Sequence, residues 1–519
     1  MLTGETAPVE LTAEASLAED VPSFRFVDLF AGIGGFHAAM KAFGGECVYA
    51  VEIDKKAANV YEANWGHPAL GDITEDADAD RKIMNVPPHD VLCAGFPCQP
   101  FSKSGAQRGM DETRGTLFFN IASIITAHHP KVVLLENVRN LVGPRHGHEW
   151  DVIIETLRDE GYWVSDQPAI FSPHLLPPRL GGVPQVRERV FIAATWAPDK
   201  VKASNGKKRK GPDPVASMTD RFPVAEGSEA LFDPKRDWRL EDLLDDSHNV
   251  QGCELSDTEV DWIEAWDQFV LQMRPAMHDR HLPGHPIWAD AWLDFPEMAA
   301  LFPKAAGLPQ SEEPDGQSAD STKKKPLVPA EVTMPTVDPA LPAWKRSHLE
   351  KNYDLFQRHF DVIIPWAHRY GVYDFPASRR KLEWQAQETK SLWDTVMHFR
   401  PSGIRAKKAT YIPALVAITQ TSIVGPRERR LSPRETARLQ GLPDTFVFPD
   451  QTDAWTYKQM GNGVNVSAVW HVFRTHVESS AEELGATPEG RAILAAVKDA
   501  PPRPQEILAK HRPARESTG

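Results

Sequence analysis

The chain has 519 residues, of which 41% are hydrophobic and 25% charged, which predicts a globular protein of two or more domains rather than a disordered chain. Four cysteines with no CxxC or Cys/His cluster predict neither a disulfide framework nor a metal site, and they favour a reducing, cytoplasmic compartment. No apolar run reaches the roughly 18 residues that cross a bilayer, and the net charge of −14 argues only mildly against nucleic acid because the Lys and Arg residues are bunched.

The first half of the chain alternates short apolar runs with amphipathic stretches. Residues 1–22 are acidic at many positions, and a flexible tail is expected there. Buried parallel strands are predicted at five apolar runs, and helices at three periodic segments. The runs are 24–30, 47–51, 91–95, 132–135 and 190–194, and the helical segments are 55–64, 116–128 and 150–160. This alternation predicts an α/β domain over 23–196 with a doubly wound, mostly parallel sheet, whose ligands lie beyond the carboxyl ends of its strands.

The βα rhythm ends after residue 196. Residues 197–426 are rich in Trp and show no repeated βα pattern, which predicts a second, smaller domain. Within them, 303–342 is rich in Pro, Ser, Glu and Lys, and a flexible insertion is expected. Helical periodicity returns over 427–480, and the last part, 481–519, is expected to be a helix followed by a loose tail from Pro501.

The first candidate site follows the first strand. Residues 26–35 (FVDLFAGIGG) lead from a strand through a glycine turn into a helix, so the backbone can approach a ligand closely. Glu52, at the end of the next strand, is placed to accept hydrogen bonds from ribose hydroxyls, and Asp72 could hold an adenine amino group. The spacing is neither G-x-G-x-x-G nor a P-loop, which favours a nucleoside cofactor without a pyrophosphate. A purely structural turn is the alternative.

Cys98 lies in a turn at the same predicted edge of the sheet. Residues 95–102 read GFPCQPFS, so two prolines bracket Cys98 and Gln99. A thiolate there would be a good nucleophile if positive charge or a helix N-terminus lowered its pKa. The alternative is a small buried thiol, as we expect for the other three cysteines. Residues 103–114 are rich in Gly, Lys and Arg, which predicts a mobile loop that closes over an anionic substrate.

Two further blocks lie at this edge. The run 132–135 delivers Glu136, which suits general acid–base chemistry or, equally, a carboxylate that caps the next helix. In the segment QVRER, Arg187 and Arg189 alternate along an extended chain, so both guanidinium groups face one side and could clamp a phosphate or a base edge. A salt-bridged strand edge is the alternative.

Two blocks near the end of the chain indicate local structure. In LSPRE, Ser432 and Glu435 form a capping box at the start of a helix, with Pro433 at its first position. The sequence GNG at 461–463 is a turn that leads into another helix.

In this order, the six blocks resemble those of the cytosine-5 DNA methyltransferase family. They are similar to its FAGxGG, PCQ, ENV, QxRxR, RxLTPRE and GNxV blocks, and they fall within residues 24–196 and 427–473. Ser432 replaces the usual Thr and keeps a capping hydroxyl, and Gly463 stands where the family has several small residues. The resemblance implies the Rossmann-like fold of an S-adenosylmethionine-dependent methyltransferase, a target-recognition domain over 197–426, and a return to the catalytic domain over 427–480.

The resemblance also assigns a cofactor site and a reaction. Phe30 would stack on the adenine of S-adenosylmethionine, Glu52 would bind the ribose, and no metal is needed. The expected cofactor-binding residues are Phe30, Ala31, Gly32, Gly34, Gly35, Glu52, Ile53, Asp72, Ile73, Pro97, Asn462 and Val464. The target cytosine would be flipped out of the duplex, Cys98 would attack C6, and Glu136 would bind N3 and the exocyclic amine. The expected catalytic residues are Cys98, Gln99, Glu136, Arg187 and Arg189.

Double-stranded DNA is the partner that the resemblance implies. Arg187 and Arg189 would hold the flipped nucleotide with support from Gln185, and Arg400 and Arg405 flank a glycine turn suited to DNA. The expected DNA-binding residues are Ser102, Arg114, Gln185, Arg400 and Arg405. A monomer is expected, with a role in restriction-modification or phage defence, acting alone, with a cognate restriction endonuclease or with other defence proteins.

Two other interpretations are weighed against this one. A tRNA-modifying relative on the same scaffold would have a short variable region, so the long segment 197–426 favours DNA. A catalytically silent DNA-binding subunit would have no chemical reason to keep the nucleophile and its predicted partners. The sequence predicts no target site in the DNA.

Overall fold

The computed structural model describes residues 23–97, 117–203, 232–234, 236–245, 249–278, 281–308, 328–417 and 421–514. Four predicted site residues lie outside these ranges: Cys98, Gln99, Ser102 and Arg114. The expected tail at 1–22 and part of the expected insertion also lie outside them.

The described residues form strands and helices whose bounds are as follows. The strands are β1 (Phe24–Leu29), β2 (Gly45–Val51), β3 (Ala77–Asp78), β4 (Ile83–Met84), β5 (Val91–Ala94), β6 (Val132–Val138), β7 (Tyr162–Val164), β8 (Ala169–Phe171), β9 (Gln185–Val186), β10 (Arg189–Trp196), β11 (Ile287–Trp288), β12 (Lys381–Gln385), β13 (Thr395–Arg400), β14 (Gly403–Lys408), β15 (Ile412–Pro413), β16 (Ile423–Val424) and β17 (Arg429–Arg430). The helices are α1 (Gly35–Ala42), α2 (Lys55–Trp65), α3 (Ile73–Asp76), α4 (Leu117–His128), α5 (Gly147–Asp159), α6 (Pro198–Ala203), α7 (Asp257–Ala276), α8 (Pro296–Leu301), α9 (Ala343–Arg369), α10 (Pro433–Leu439), α11 (Asp453–Asn462), α12 (Val466–Ser479), α13 (Ala481–Gly485), α14 (Pro488–Asp499) and α15 (Gln505–Leu508).

The larger sheet has the strand order β2-β1-β5-β6-β10-β7, with β8 also paired to β10. Its first four strands are parallel. Side chains that alternate along the strands enter two separate hydrophobic clusters, one on each face, with Cys93 in the first and Leu92 in the second. Helices α1, α2 and α12 supply the first cluster, and α4 and α5 supply the second. The predicted doubly wound α/β fold is confirmed.

The last predicted strand of this sheet runs the other way. β10 is antiparallel to β6, with Arg189 opposite Val138, so the expectation of a parallel strand at 190–194 is wrong. The cause is the path of the chain: β8 ends with Phe171 beside Arg189, at the carboxyl edge of the sheet. A strand that starts there can only run back through the sheet. As a result β10 begins at the edge where β6 ends, and Arg189 and Glu136 meet there.

The Trp-rich region has a hydrophobic core of its own. A six-stranded sheet in the order β11-β12-β14-β13-β16-β17 packs against α7 and α9. Its cluster includes the buried indoles of Trp266, Trp292 and Trp366. On the opposite face of the same sheet, Val396 and Val424 belong to the core cluster of the larger sheet. The smaller sheet therefore lies between the two cores.

The predicted capping box at α10 is confirmed, and a buried ion pair is added to it. Ser432 accepts a hydrogen bond from the backbone of Glu435, whose carboxylate accepts one from the backbone of Ser432. The same carboxylate forms a bidentate pair with Arg429, with N–O distances of 2.7 and 2.9 Å, and both side chains are buried. The end of the smaller sheet is thereby joined to the helix that returns to the larger one.

Residues up to 514 pack on the domain, so the expectation of a loose tail from Pro501 is wrong for this part of the chain. Leu508 is buried in the first core cluster, and the ring of His511 lies 4.7 Å from that of Trp65. Arg474 donates hydrogen bonds to the carbonyl groups of residues 497, 500 and 501. Among the described helices, none combines the length and apolarity needed to cross a bilayer.

Candidate active site

A cavity of about 420 Å³ lies at the carboxyl edge of the larger sheet, a size typical of small-molecule sites. Its walls come from the ends of β1, β2, β5 and β6, the start of β10 and the end of α11. Ten of the predicted cofactor-binding and catalytic residues line it: Phe30, Gly32, Glu52, Ile53, Asp72, Ile73, Pro97, Glu136, Arg189 and Asn462. Pro97, the residue before Cys98 in the sequence, is thus part of the wall.

The turn after β1 brings backbone to the cavity because three of its residues have positive φ. Phe30 has φ 55°, Gly32 56° and Gly34 92°. A Cβ atom at Gly34 would lie 2.1 Å from Nε1 of Trp65, whereas one at Gly32 would meet nothing within 4 Å. The indole of Trp65 is fixed because its Nε1 donates a 3.1 Å hydrogen bond to the carbonyl of Ile33. The turn therefore needs glycine at position 34 for space and conformation, and at 32 for conformation only.

Replacing Gly34 with alanine is expected to lower the free energy of unfolding by about 3 kcal/mol or more, the scale of core overpacking combined with left-handed strain. Gly32→Ala is the matched control, with an expected loss of about 1 kcal/mol from backbone conformation alone. Urea unfolding of both variants measures the difference. Equal losses would contradict the close packing of Trp65 against the turn.

The polar groups of this wall suit a nucleoside. The Glu52 carboxylate accepts hydrogen bonds from the backbone of Gly32 (2.9 Å) and of Asp54 (2.7 Å), which fixes it at the cavity. Asp72 caps α3 through one oxygen, which accepts from Thr74, and its other oxygen has no partner among the described residues. The side chain of Ile53 is 72% exposed, an apolar surface beside these carboxylates that a planar ring could cover.

Four predicted cofactor residues do not line the cavity: Ala31, Gly34, Gly35 and Val464. Gly34 faces Trp65, and a Cβ atom at Gly35 would lie 2.6 Å from the carbonyl oxygen of Val464. These residues hold the glycine turn against α2 and against the segment after α11. Their place is behind the wall, and the glycines are needed for close packing there.

Glu136 faces the cavity and is paired with Arg189, whose Nε lies 2.9 Å from its carboxylate. The helix-cap alternative for Glu136 is wrong, because the short helix that follows begins at Arg139 with no side-chain cap. Burial raises the pKa of Glu136, and the charge of Arg189 opposes that rise. A carboxyl group whose pKa is raised keeps its proton to a higher pH than an exposed one, and in that form it can donate as well as accept a hydrogen bond.

Arg187 and Gln185 lie behind the wall and not on it. The Arg187 side chain is buried and donates to the backbone carbonyls of Leu415 (2.9 Å), Gly461 (2.8 Å) and Gly463 (2.6 Å). Burial lowers the pKa of Arg187 to about 9, and Arg189 acts in the same direction, so the group stays charged at neutral pH. Gln185 is fully buried and donates to the carbonyl of Leu439.

Comparison with known proteins identifies the family. A model of the C-5 cytosine-specific DNA methylase family matches residues 24–478. The chain belongs to this family. It is therefore a DNA (cytosine-5)-methyltransferase, an enzyme that acts on double-stranded DNA.

Individual relatives agree with this assignment. The type II methyltransferase M.AluI of Cellulosimicrobium cellulans is 56% identical over 499 residues, which cover 91% of this chain and 96% of that protein. M.HhaI of Haemophilus parahaemolyticus is 43% identical over 174 residues, 34% of this chain and 50% of that protein. The crystal structure of S. pombe Dnmt2 methyltransferase has a TM-score of 0.39 and 15% identity, covers 88% of this chain and 98% of its own, and is too distant to add to the argument.

In the methyltransferase, Arg187 is buried, so the prediction that Arg187 and Arg189 face one side and clamp the nucleotide together is wrong. A single residue separates them, yet Arg189 reaches the cavity while Arg187 binds three carbonyls in two segments distant in sequence, at Leu415 and at 461–463. β9 ends at Val186 and β10 begins at Arg189, so the chain between them is not a regular strand and does not keep the predicted alternation. The residues 461–463, predicted as a turn, instead form the end of α11 and its cap. Arg187 is a positioning residue for this helix end, which places Asn462 at the cavity.

Replacing Arg187 with lysine is expected to lower the free energy of unfolding by about 3 kcal/mol, because one ammonium group cannot reach three carbonyls that the guanidinium satisfies and buried acceptors are left unpaired. Arg179→Lys, on an exposed arginine, is the control and should be nearly neutral. Thermal and urea unfolding measure both. A stable Arg187→Lys protein with a raised KM for DNA would instead indicate direct contact with the nucleotide.

The structure also brings residues to the cavity that the sequence motifs did not single out. Lys458 and Gln459 line it, one turn before Asn462 on α11. Helical spacing could have identified them, because residues three and four positions before Asn462 share its face of the helix. Asn137 lines it too, and its side chain donates 3.0 Å to the carbonyl of Phe96, which ties the end of β6 to the segment leading to Cys98.

Arg400 and Arg405 lie on the smaller sheet and do not line the cavity. They flank a tight hairpin between β13 and β14, in which Arg400 pairs with Gly403. Gly403 has φ 139°, and a Cβ atom there would lie 2.9 Å from the carbonyl of Lys381. The predicted glycine turn is confirmed. No group of three or more His, Cys, Asp or Glu side chains in the described ranges is placed to hold a metal, and the expectation of metal-free chemistry stays a prediction.

Proposed function

We propose that this methyltransferase modifies C5 of a cytosine flipped out of a specific double-stranded DNA sequence, through a covalent bond between Cys98 and C6, with S-adenosylmethionine as methyl donor. One observation carries the proposal. Glu136 and Arg189 line the same cavity as Phe30, Glu52 and Asp72, whose wall suits a nucleoside. Two ligands can therefore meet at one edge of the sheet.

The residues of the cofactor wall fit S-adenosylmethionine. Phe30 and Ile53 offer apolar surface to the adenine, Glu52 faces the ribose, and the free oxygen of Asp72 suits the amino group. Gly32 and Asn462 also line the cavity, and they are proposed to hold the methionine part. When bound there, S-adenosylmethionine supplies an electrophilic methyl group.

The reaction uses two side chains of opposite character. The Cys98 sulfur forms a bond to C6, and Glu136 donates a proton to N3 and accepts a hydrogen bond from the exocyclic amine, which neutralises charge that builds in the ring. C5 becomes enamine-like and is methylated. Loss of the C5 proton to solvent restores the double bond and expels the Cys98 thiolate, and the N3 proton returns to Glu136. Arg189 pairs with Glu136 at the cavity and is proposed to hold the flipped nucleotide, and Gln99 is proposed to assist at the nucleophile.

Recognition of the DNA sequence is assigned to the Trp-rich region, 197–426, whose core is separate from that of the catalytic sheet. Ser102, Arg114, Arg400 and Arg405 are proposed to contact DNA. Gln185 is proposed to support Arg187 and Arg189 from within. The likeness to M.AluI over most of both chains favours a role in type II restriction-modification, beside a cognate endonuclease. We propose that the enzyme acts as a monomer in the cytoplasm, where its DNA substrate lies.

Bisulfite sequencing of DNA from a methylation-free bacterial host that expresses the protein tests the proposal. The expected result is methylation of cytosine within one short recurring sequence. Methylation of tRNA with none in DNA would favour the RNA-modifying interpretation. Absence of methyl transfer to any nucleic acid by the purified protein would favour the silent DNA-binding subunit.

A further inference from the structure

The smaller sheet has one apolar and one charged face. Met397, Ile404 and Ala406 point into the core of the Trp-rich region. Because directly paired residues share a face of a sheet, the register places Arg405 beside His398 and beside Glu383 on the other face. Three cations, Arg400, Arg405 and Lys407, lie on that face, which we call the cationic face.

The cationic face borders the catalytic unit. Val396, which pairs with Lys407, is buried in the core cluster of the larger sheet. His398, the next residue on this face, lines a small cavity with Leu415 and Val416. The carbonyl of Leu415 accepts a hydrogen bond from Arg187. The face is therefore linked, through the segment at Leu415, to Arg187 behind the wall of the active site.

Positive charge on this face is not balanced within the described residues. Among these residues, neither the Arg400 guanidinium nor the Lys407 ammonium has a hydrogen-bonded or ion-paired side-chain partner. The third cation, Arg405, pairs with the carboxylate of Glu383. Burial lowers the pKa of Lys407, and Arg405 and Arg400 lower it further. Burial and the same cations lower the pKa of His398 to about 3. Cations held partly out of water without counter-charge favour an anionic partner such as the DNA backbone.

Arg405 differs from the other two because one edge of its guanidinium is fixed. Its Nε donates to Oε2 of Glu383 at 2.5 Å, and both side chains are largely buried. No partner of its Nη atoms is found among the described residues. A planar fork held at one edge and open at the other matches the O6 and N7 acceptors of guanine in the major groove. Arg400 and Lys407 have no such orienting carboxylate and suit phosphates, which need charge more than direction.

Resting on the proposed function, we infer that Arg405, held by Glu383, recognises one guanine of the target sequence through O6 and N7, while Arg400 and Lys407 neutralise nearby phosphates. Glu383 is a positioning residue: it orients the fork and does not touch the base. The cationic face is then the part of the Trp-rich region that discriminates between DNA sequences.

The test removes the N7 acceptor of the guanine and the guanidinium of Arg405 in separate experiments. After the target sequence of the wild type is known, each of its guanines is replaced singly by 7-deazaguanine, which lacks the N7 acceptor. At one guanine, kcat/KM of the wild type is expected to fall about ten- to a hundred-fold, the scale of one lost hydrogen bond from a charged donor. Arg405→Ala should be slower on normal DNA and insensitive to 7-deazaguanine at that same position. Glu383→Gln should lose part of the sensitivity.

Lys407→Ala is the matched control on the same face. It should weaken binding to all duplexes alike, lower the salt dependence by about one phosphate contact, and keep the full 7-deazaguanine effect. Arg405→Lys, which keeps the charge and removes the fork, repeats the test should Arg405→Ala fail to fold. The inference is overturned if the Arg405 variants remain as sensitive as the wild type at every guanine. A wild type that methylates no DNA would instead overturn the proposed function itself.

Discussion

Replacing Cys98 with serine is expected to lower methyl transfer to DNA by about 10⁴-fold or more, the scale seen when a covalent nucleophile is removed. A serine hydroxyl stays protonated near neutral pH, whereas a thiol can ionise and is intrinsically a better nucleophile. Binding of S-adenosylmethionine should change little, because the proposed cofactor contacts are made by other residues, among them Phe30, Glu52 and Asp72. Single-turnover transfer of a labelled methyl group, with cofactor binding by calorimetry, measures both effects.

Cys47→Ser provides the control for this substitution. Cys47 is half-buried in β2, its sulfur contacts the Tyr61 hydroxyl at 3.5 Å, and burial raises its pKa to about 12. Such a thiol is not a nucleophile near neutral pH, and serine can keep its hydrogen bond. The control should retain activity. A Cys98→Ser enzyme with near-normal rates would remove Cys98 from the mechanism.

Replacing Glu136 with glutamine is the second large effect, with kcat expected to fall about a hundred- to a thousand-fold. Glutamine can still donate to N3 and accept from the exocyclic amine, so KM for DNA should change little. It cannot transfer a proton, so charge that develops in the ring is no longer neutralised. Steady-state kinetics on a duplex with a single target site measures the split between kcat and KM.

The pH profile distinguishes this role from a structural one. Burial raises the pKa of Glu136, so the protonated form that donates to N3 is lost as pH rises through that raised pKa. The rate of the wild type should therefore fall as the pH rises through this pKa, and the rate of Glu136→Gln should not. If the two enzymes show the same pH profile, Glu136 serves only to hold Arg189, with which it pairs at 2.9 Å.

Local sequence signals predicted the parts of the fold that depend on local chemistry. The glycine turn at 32–34, the strands that deliver Glu52 and Glu136, and the capping box at Ser432 all follow from patterns within about ten residues, which set backbone conformation and burial. The order of the blocks then indicated the family.

What the sequence did not predict depends on contacts between distant segments. The alternation of Arg187 and Arg189 predicted a shared face, but the chain is irregular between β9 and β10. Arg187 is buried against carbonyls more than two hundred residues away. The direction of β10 depends on where β8 ends, and the packing of the last helices depends on Trp65 and α1. None of these partners can be identified from spacing along the chain.

The measurement that tests the central claim most directly is covalent trapping. A duplex carrying 5-fluorocytosine at the target position is incubated with the enzyme and S-adenosylmethionine, and the mixture is analysed by denaturing gel and mass spectrometry. Fluorine at C5 cannot leave as a proton does, so the bond between Cys98 and C6 should persist. The expected result is a wild-type protein–DNA adduct mapped to Cys98 and none with Cys98→Ser. A wild type that methylates ordinary cytosine but forms no adduct would contradict the covalent mechanism.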